Sequence, residues 1–271
     1  MGCIGDPYEG VHNIGGESRL AFRDCVRRWV STMAGSGSAV SAMRWLRVLV
    51  VVGVAAILGS WQAGIAIVTG VPPPAGDAVP DIDTHAHGRP ADQLHAWAAP
   101  RAPALGMPAT ALEAYAYAAK VAAVENPKCH LTWTTLAAIG MVESHHGTHH
   151  GAQIAPNGDV TPPIRGVVLD GSGGNLRIIE DGNSSLDEGS GFARAMGPMQ
   201  IIPQTWRLYG VDAHNNGVKS PDNIDDAALA AAGYLCYRGG DLATPRGWMT
   251  ALRAYNQSDL YARTVRDWAT A

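Results

Sequence analysis

The sequence predicts a mainly α-helical domain that carries a small β-hairpin insertion and is preceded by one transmembrane helix. Three observations support this prediction. Residues 48–71 contain no charged side chain, alanine-rich and apolar runs of helical character occupy residues 109–147, and glycines with short β-like runs interrupt that character over residues 151–195. With 46% hydrophobic and 16% charged residues in a chain of 271, one sizeable globular domain with additional segments can form.

The uncharged stretch 48–71 is expected to cross a membrane. As a helix it would span about 36 Å, which exceeds the ~30 Å of a hydrocarbon core. Because arginines precede it, we expect residues 1–47 on the cytoplasmic side and the large C-terminal part on the extracytoplasmic side, in a single-pass cell-membrane protein. The same arrangement also resembles a secretory signal, so secretion after cleavage remains an alternative. Met33 or Met43 are alternative starts that would remove most of the cytoplasmic tail.

The charge balance argues against a nucleic-acid partner. The net charge is -4, and after the uncharged stretch fourteen basic residues face twenty acidic ones. Nucleic-acid-binding domains usually present an excess of basic side chains. We therefore expect no nucleic-acid partner.

Residues 72–104 are predicted to form an extended linker, and residues 105–271 to form the globular domain. The linker prediction rests on a composition rich in Pro and Ala without sustained periodicity. The first helix of the domain is expected between Pro108 and Pro127, because its composition is rich in alanine and Pro is favoured in the first helical turn.

Four cysteines divide between the two sides of the predicted membrane segment. Cys3 and Cys25 precede it, whereas Cys129 and Cys236 follow it. Thiols outside the cytoplasm usually pair, so we expect a disulfide between Cys129 and Cys236. Two buried free thiols are the alternative.

The second helix, expected over residues 133–147, carries Glu143 near its end. Leu136, Ala137 and Ile139 make this helix nearly all apolar, so it should be buried with its last turn opening into a cleft. An unpaired carboxylate in an apolar pocket has a raised pKa, which a general acid working near neutral pH needs. A solvated glutamate at a helix end is the alternative that this segment leaves open.

Residues 151–195 are expected to form a β-hairpin. Residues 164–169 and 175–179 would be its strands, and the glycine-rich stretch between them its turn. The hairpin lies between the Glu143 helix and the next apolar block, where it could form a wall or lid of the cleft. Further helices are expected over residues 224–237 and 248–268.

Four motifs then follow one another along the chain. They are Glu143-Ser144, the Met-Gly-Pro-Met-Gln of residues 196–200 with Ile201, Pro203 and Trp206, the helix from Asp226 to Leu235, and Ala254-Tyr255-Asn256. Their order and spacing resemble lytic murein transglycosylases of the membrane-bound lytic transglycosylase B type in its actinobacterial form, from about Pro108 to the end of the chain. Members of that form carry an insertion like residues 169–174.

The resemblance implies a lysozyme-like α-helical domain that acts on peptidoglycan. It would cleave the MurNAc–GlcNAc β-1,4 bond and leave 1,6-anhydro-MurNAc ends, without a cofactor. Peptidoglycan glycan strands and the membrane are the implied partners, and the sequence does not indicate protein partners. By this resemblance Glu143 is the catalytic acid and base, and Ser144 is a polar neighbour that orients Glu143 or the sugar. His145 stands where an acidic residue is expected, which puts contacts in the sugar subsites in doubt.

The resemblance also assigns the glycan groove. Met199 and Gln200 would form its floor, and Tyr255 and Asn256 would hydrogen-bond near Glu143 or to an N-acetyl group. Amide, hydroxyl and aromatic side chains are the types that a glycan groove needs. For Trp206, packing in the core is the favoured interpretation.

A metal site is the rival hypothesis. His146 and His150 have the i, i+4 spacing of zinc ligands on a helix, but Gly147 between them breaks the helix. Residues 212–222 contain acidic and amide side chains, but their spacing is not that of an EF-hand loop. We therefore expect no metal ligands.

The number of acids predicts the reaction. A glycoside hydrolase ordinarily needs a second carboxylate opposite the first. No acid near the four motifs is placed comparably with Glu143: Asp226 opens a helix, and the others, in the glycine-rich insertion, are Glu180, Asp181, Asp187 and Glu188. The sequence thus favours a transglycosylase. A muramidase-type hydrolase and a non-catalytic glycan-binding wall protein are the alternatives.

Overall fold

The computed structural model describes residues 76–180 and 191–270, and these residues are mainly helical. Their α-helices are α1 His95–Ala98, α2 Ala109–Glu125, α3 Trp133–Ser144, α4 Pro203–Tyr209, α5 Ile224–Gly239, α6 Pro245–Tyr255 and α7 Asp259–Thr270. Their strands are β1 Gln153–Ile154, β2 Val160–Thr161, β3 Arg165–Val168 and β4 Arg194–Met196. The predicted mainly α-helical class is confirmed for this part of the chain.

The helices pack around α2, which contacts α1, α3 and α5. In turn α5 contacts α4 and α6, and α7 contacts α3 and α6. Close approach of α2 and α3 depends on Gly140, because a Cβ there would lie 2.0 Å from the hydroxyl of the fully buried Tyr115. The many alanines of α2 and α5 thus serve close packing as well as helix propensity.

The stretch before α2 is packed on the domain, so the prediction of an extended linker over residues 72–104 is wrong for its described part. A 3₁₀-helix, Pro90–Leu94, leads into α1, and Leu94, Trp97 and Ala98 are buried in the main core. Small apolar side chains suit close packing as well as a linker, and composition therefore could not distinguish the two.

Arg89 anchors this N-terminal stretch to two helices. Its Nε donates to Oδ2 of Asp225 over 2.7 Å, and its Nη1 donates to Oε2 of Glu113 over 2.5 Å. Both carboxylates are buried, at 0% and 3% side-chain exposure. Buried charges are tolerated only when they are paired, so the stretch is part of the folded domain.

The β structure differs in its pairing from the predicted hairpin. The strand expected at residues 164–169 exists as β3, but it pairs antiparallel with β4. Residues 175–179 contain no named strand, although Ile178 N–H donates to the carbonyl of Leu169. An antiparallel bridge between Asp170 and Arg177 closes the glycine-rich turn between them.

Two predicted helix ends also change. Helix α3 ends at Ser144, three residues before Gly147, because His145 is in the left-handed region with φ 50° and the N–H of His146 returns to the carbonyl of Gly140. This is a usual way to end a helix. The helix expected over residues 248–268 is two helices, α6 and α7, which Asn256 separates with an extended backbone.

The predicted disulfide is present. Cys129 and Cys236 are bonded, with a Cα–Cα distance of 5.3 Å, and they join the loop before α3 to α5. The predicted transmembrane segment, residues 48–71, and the predicted tail, residues 1–47, lie outside the described residues. Within the described residues, no helix is both long and apolar enough to cross a membrane.

Candidate active site

Glu143 lies on the last turn of α3 and is half-buried. Burial raises its pKa to about 7, and a hydrogen bond from Tyr261 partly opposes that rise. Among the described residues, no second carboxylate contributes to this change in the pKa of Glu143. A pKa near neutrality lets this side chain give up a proton and recover it at the same pH.

Tyr261, which the sequence analysis did not identify, is the hydrogen-bond partner of Glu143. It lies on α7, and its hydroxyl donates to Oε1 of Glu143 over 2.7 Å. The ring is buried, at 7% exposure. A hydrogen bond to a carboxylate favours the ionised form, so Tyr261 stabilises the state that Glu143 reaches after giving up its proton.

Tyr255 brings a second phenol close to Glu143. Its hydroxyl donates to the carbonyl of Met199 over 2.7 Å. Burial, followed by the charge of Glu143, raises the pKa of Tyr255 well above its usual value. Tyr255 is therefore a neutral donor that ties α6 to the Met199 backbone, and Asn256, which follows it, is exposed.

Ser144 holds the end of α3 against the motif of residues 196–200. Its Oγ donates to the carbonyl of Pro198 over 2.6 Å and accepts from the N–H of Gly147 over 2.8 Å. The side chain is buried, at 1% exposure. The hydroxyl therefore donates and accepts inside the protein, which supports the positioning form of the predicted role, in which Ser144 orients the helix end that carries Glu143.

The motif of residues 196–200 forms a tight turn that depends on Gly197. Gly197 has φ +68°, and a Cβ there would lie 1.7 Å from the carbonyl oxygen of Pro221. Gln200 closes the turn by donating from Nε2 to the carbonyl of Gly197 over 2.8 Å, and it remains half-buried. The turn therefore holds Gln200 next to the Met199 carbonyl, which accepts the hydrogen bond from Tyr255.

Two predicted groove residues differ in their accessibility. Gln200 keeps part of its side chain exposed, whereas the side chain of Met199 is fully buried in the core. Met199 was predicted to form the groove floor, but its side chain is not accessible. Its backbone carbonyl accepts the hydrogen bond from Tyr255. Trp206 is buried, in agreement with its interpretation as a core residue.

The histidines after α3 do not converge on a metal site. His146 is buried and its ring Nδ1 lies 3.4 Å from the hydroxyl of Tyr115, while His150 is exposed. Burial lowers the pKa of His146 to about 4, so this ring is neutral at pH 7. The two rings proposed as a zinc pair therefore lie in different environments.

A cluster of Asp212, His214 and Asp226 has ligand atoms within 4.8 Å of one another. However, Asp212 accepts from the N–H groups of Asn216 and Gly217, and Asp226 accepts from those of Ala213 and Ser220 and from Nδ1 of His214. These bonds shape the loop that leads into α5.

A half-buried acid of raised pKa, with phenols beside it on a helical scaffold, is typical of an enzyme that cleaves glycans. The comparison with protein families agrees: residues 173–247 match the family model described as the transglycosylase SLT domain. The matched range runs through β4, α4 and α5 into α6. Neither a curated protein nor a solved structure matches the chain. The match supports a transglycosylase SLT domain within residues 173–247, a range that does not include Glu143.

Proposed function

We propose that this protein is a peptidoglycan lytic transglycosylase of the membrane-bound lytic transglycosylase B type. It would cleave the MurNAc–GlcNAc β-1,4 bond and form 1,6-anhydro-MurNAc ends, with Glu143 as the single acid and base. The observation that carries this proposal is the half-buried Glu143, whose pKa is raised to about 7 by burial and whose charge is supported by Tyr261.

In the first step the protonated Glu143 gives its proton to the glycosidic oxygen as the bond to C1 of MurNAc breaks. Ionised Glu143, stabilised by the Tyr261 hydroxyl, then takes the proton of the C6 hydroxyl of the same MurNAc. The C6 oxygen forms the new bond to C1. This attack is intramolecular, so it has an entropic advantage and needs no positioned water.

Three acids that the structure describes, and that could be considered as the second group of a hydrolase, form ion pairs with other residues. A retaining hydrolase would need a second carboxyl group about 5 Å from the first. Asp225 is paired with Arg89, Asp226 with His214, and Glu180 with Arg207. Asp181, Asp187 and Glu188 lie outside the described residues.

Gln200 and Asn256 are the amides that we assign to the substrate. Both retain exposed surface on segments joined to Tyr255, one through the turn of residues 196–200 and the other as the next residue in the chain. An amide can donate to and accept from an N-acetyl group. The enzyme would act outside the cytoplasm, anchored by residues 48–71, or be secreted if they are cleaved.

The replacement Glu143→Gln tests the assignment of the acid. The amide is nearly isosteric but cannot donate and recover a proton, so turnover of purified peptidoglycan should fall by about 100-fold or more. Glu125→Gln, at the exposed end of α2, is the matched control and should keep full activity. Release of soluble muropeptides by the full chain is the measurement. Retention of most activity in Glu143→Gln would refute the assignment.

A further inference from the structure

Four tyrosines form a continuous row that begins beside Glu143. The ring centroids of Tyr255 and Tyr234 are 6.0 Å apart, those of Tyr234 and Tyr209 are 5.5 Å apart, and those of Tyr209 and Tyr237 are 6.1 Å apart. The residues come from α6, α5 and α4, so packing of three helices assembles them. We call these four residues the tyrosine row.

The row leads from the candidate active site to the open surface. Tyr255 lies close enough to Glu143 for the carboxylate charge to raise its pKa, and Tyr255, Tyr234 and Tyr209 are half-buried. Tyr237, at the other end, is 74% exposed. The tyrosine row therefore runs from a residue near Glu143 to the exposed surface.

Tyr255 and Tyr234 have structural roles inside the domain, whereas the exposed position of Tyr237 is not explained by packing. The Tyr255 hydroxyl bonds the Met199 carbonyl, and the Tyr234 hydroxyl donates to the carbonyl of Ala254 over 2.8 Å. Tyr237 instead places most of a large ring in water. An exposed aromatic side chain that continues a site is typical of a binding surface.

We infer that the tyrosine row is a binding track for the glycan strand beyond the sugars held at Glu143, with Tyr209 and Tyr237 as its outer subsite. This inference rests on the proposed function. Aromatic rings pack against the C–H faces of sugars, and phenol hydroxyls can bond sugar hydroxyls.

A cation lies beside the row, which favours a ligand that carries negative charge over an apolar protein surface. The guanidinium of Arg238 lies 5.9 Å from the ring centroid of Tyr234, and its side chain is exposed. Peptidoglycan strands carry peptide stems with carboxylates, which a guanidinium can bind. The track therefore suits a stem-bearing glycan strand.

Binding without turnover tests the track. In the full chain carrying Glu143→Gln, the further replacement Tyr237→Ala should weaken binding to insoluble peptidoglycan sacculi about fivefold, because one exposed aromatic contact is lost. Tyr237→Phe, which keeps the ring, should bind nearly as tightly as the parent. Trp268→Ala removes another exposed aromatic residue, on α7, and should leave binding unchanged. Co-sedimentation with sacculi gives the dissociation constants.

Kinetics with Glu143 intact supply a second readout. Tyr237→Ala should raise KM about fivefold for long glycan strands and leave kcat unchanged, because Tyr237 does not touch the reacting atoms. Strands too short to reach Tyr237 should show no change in KM.

The two proposals fail in different ways. If sacculi binding depends on Tyr237 but the protein produces no cleaved glycan, the proposed function fails, and the tyrosine row is a glycan-binding surface that does not serve cleavage. If glycan is cleaved but Tyr237→Ala binds as tightly as its parent, or Trp268→Ala weakens binding equally, the track is refuted.

Discussion

Under the proposed function, the protonation of Glu143 links stability and activity. Its pKa is about 7 in the folded protein, against an ordinary value of 4.5. Between these two pH values the folded state binds more protons at this site than the unfolded state, so the contribution of Glu143 to stability is fully present below pH 4.5 and is lost as pH rises to 7. The proposed acid thus makes folding less favourable above neutral pH.

The replacement Glu143→Gln is therefore expected to stabilise the protein at pH 8, by about 1–3 kcal/mol, since the amide has no charge to bury. At pH 4.5 the gain should be much smaller. Thermal unfolding of the two proteins at both pH values is the measurement, with Glu125→Gln as the exposed control. An equal shift in Tm at both pH values would contradict the buried-carboxylate account.

Tyr261→Phe should move the pH dependence of activity. The hydroxyl of Tyr261 lowers the pKa of Glu143, so its removal should raise that pKa by about one unit. The limb on which activity falls as Glu143 loses its proton should move to higher pH by the same amount. Tyr255→Phe, which loses a bond to the Met199 carbonyl instead, is the control for this limb. A pH profile that does not move would show that the bond to Tyr261 is unimportant.

The position of Glu143 near the end of a helix could be predicted from the sequence, but its hydrogen bond with Tyr261 could not. Glu143 ends an apolar helical run, which is a local pattern. Tyr261 lies 118 residues later, and its contact with Glu143 depends on how α7 packs on α3. The buried position of Ser144 was equally hidden, because its partner is a backbone carbonyl in a distant turn.

The anchoring of the N-terminal stretch on α2 and α5 can be tested by replacing Arg89. Arg89→Ala would leave the buried carboxylates of Glu113 and Asp225 without their cation, which should cost about 3–5 kcal/mol of stability. Lys120→Ala is the matched control, because its partner Asp81 is fully exposed and such pairs contribute about 0–1 kcal/mol. Urea unfolding measures both. Equal effects of the two replacements would mean that the stretch is not anchored through Arg89.

The elements that sequence reasoning found have local start and stop signals. Pro108 precedes α2, and Asn223, whose side chain accepts from two N–H groups of the first turn, caps α5. The packed stretch before α2 and the partner of β3 lack such signals. Both are decided by contacts with residues far away in the chain. The Pro- and Ala-rich composition therefore suggested a linker, and the glycine-rich turn, which is present, did not reveal that β3 pairs with β4.

For the whole molecule, the Cys129–Cys236 disulfide joins residues separated by 107 positions. Its removal by Cys129→Ser with Cys236→Ser should lower the free energy of unfolding by about 4 kcal/mol, because the unfolded chain gains freedom. Activity per folded molecule should persist, because neither cysteine contacts Glu143. Urea unfolding of the oxidised protein and the double variant measures the difference. Identical unfolding curves would contradict a stabilising bridge.

The most direct test of the central claim is the fate of solvent oxygen during cleavage. The full chain should be incubated with purified peptidoglycan in heavy-oxygen water, and the products analysed by mass spectrometry beside a digest by a hydrolytic muramidase. Intramolecular attack by the C6 hydroxyl predicts anhydro-MurNAc ends that are lighter by one water, carry no label and have no reducing terminus. Heavy oxygen on C1 of new reducing MurNAc ends would contradict the transglycosylase account and require a second catalytic group.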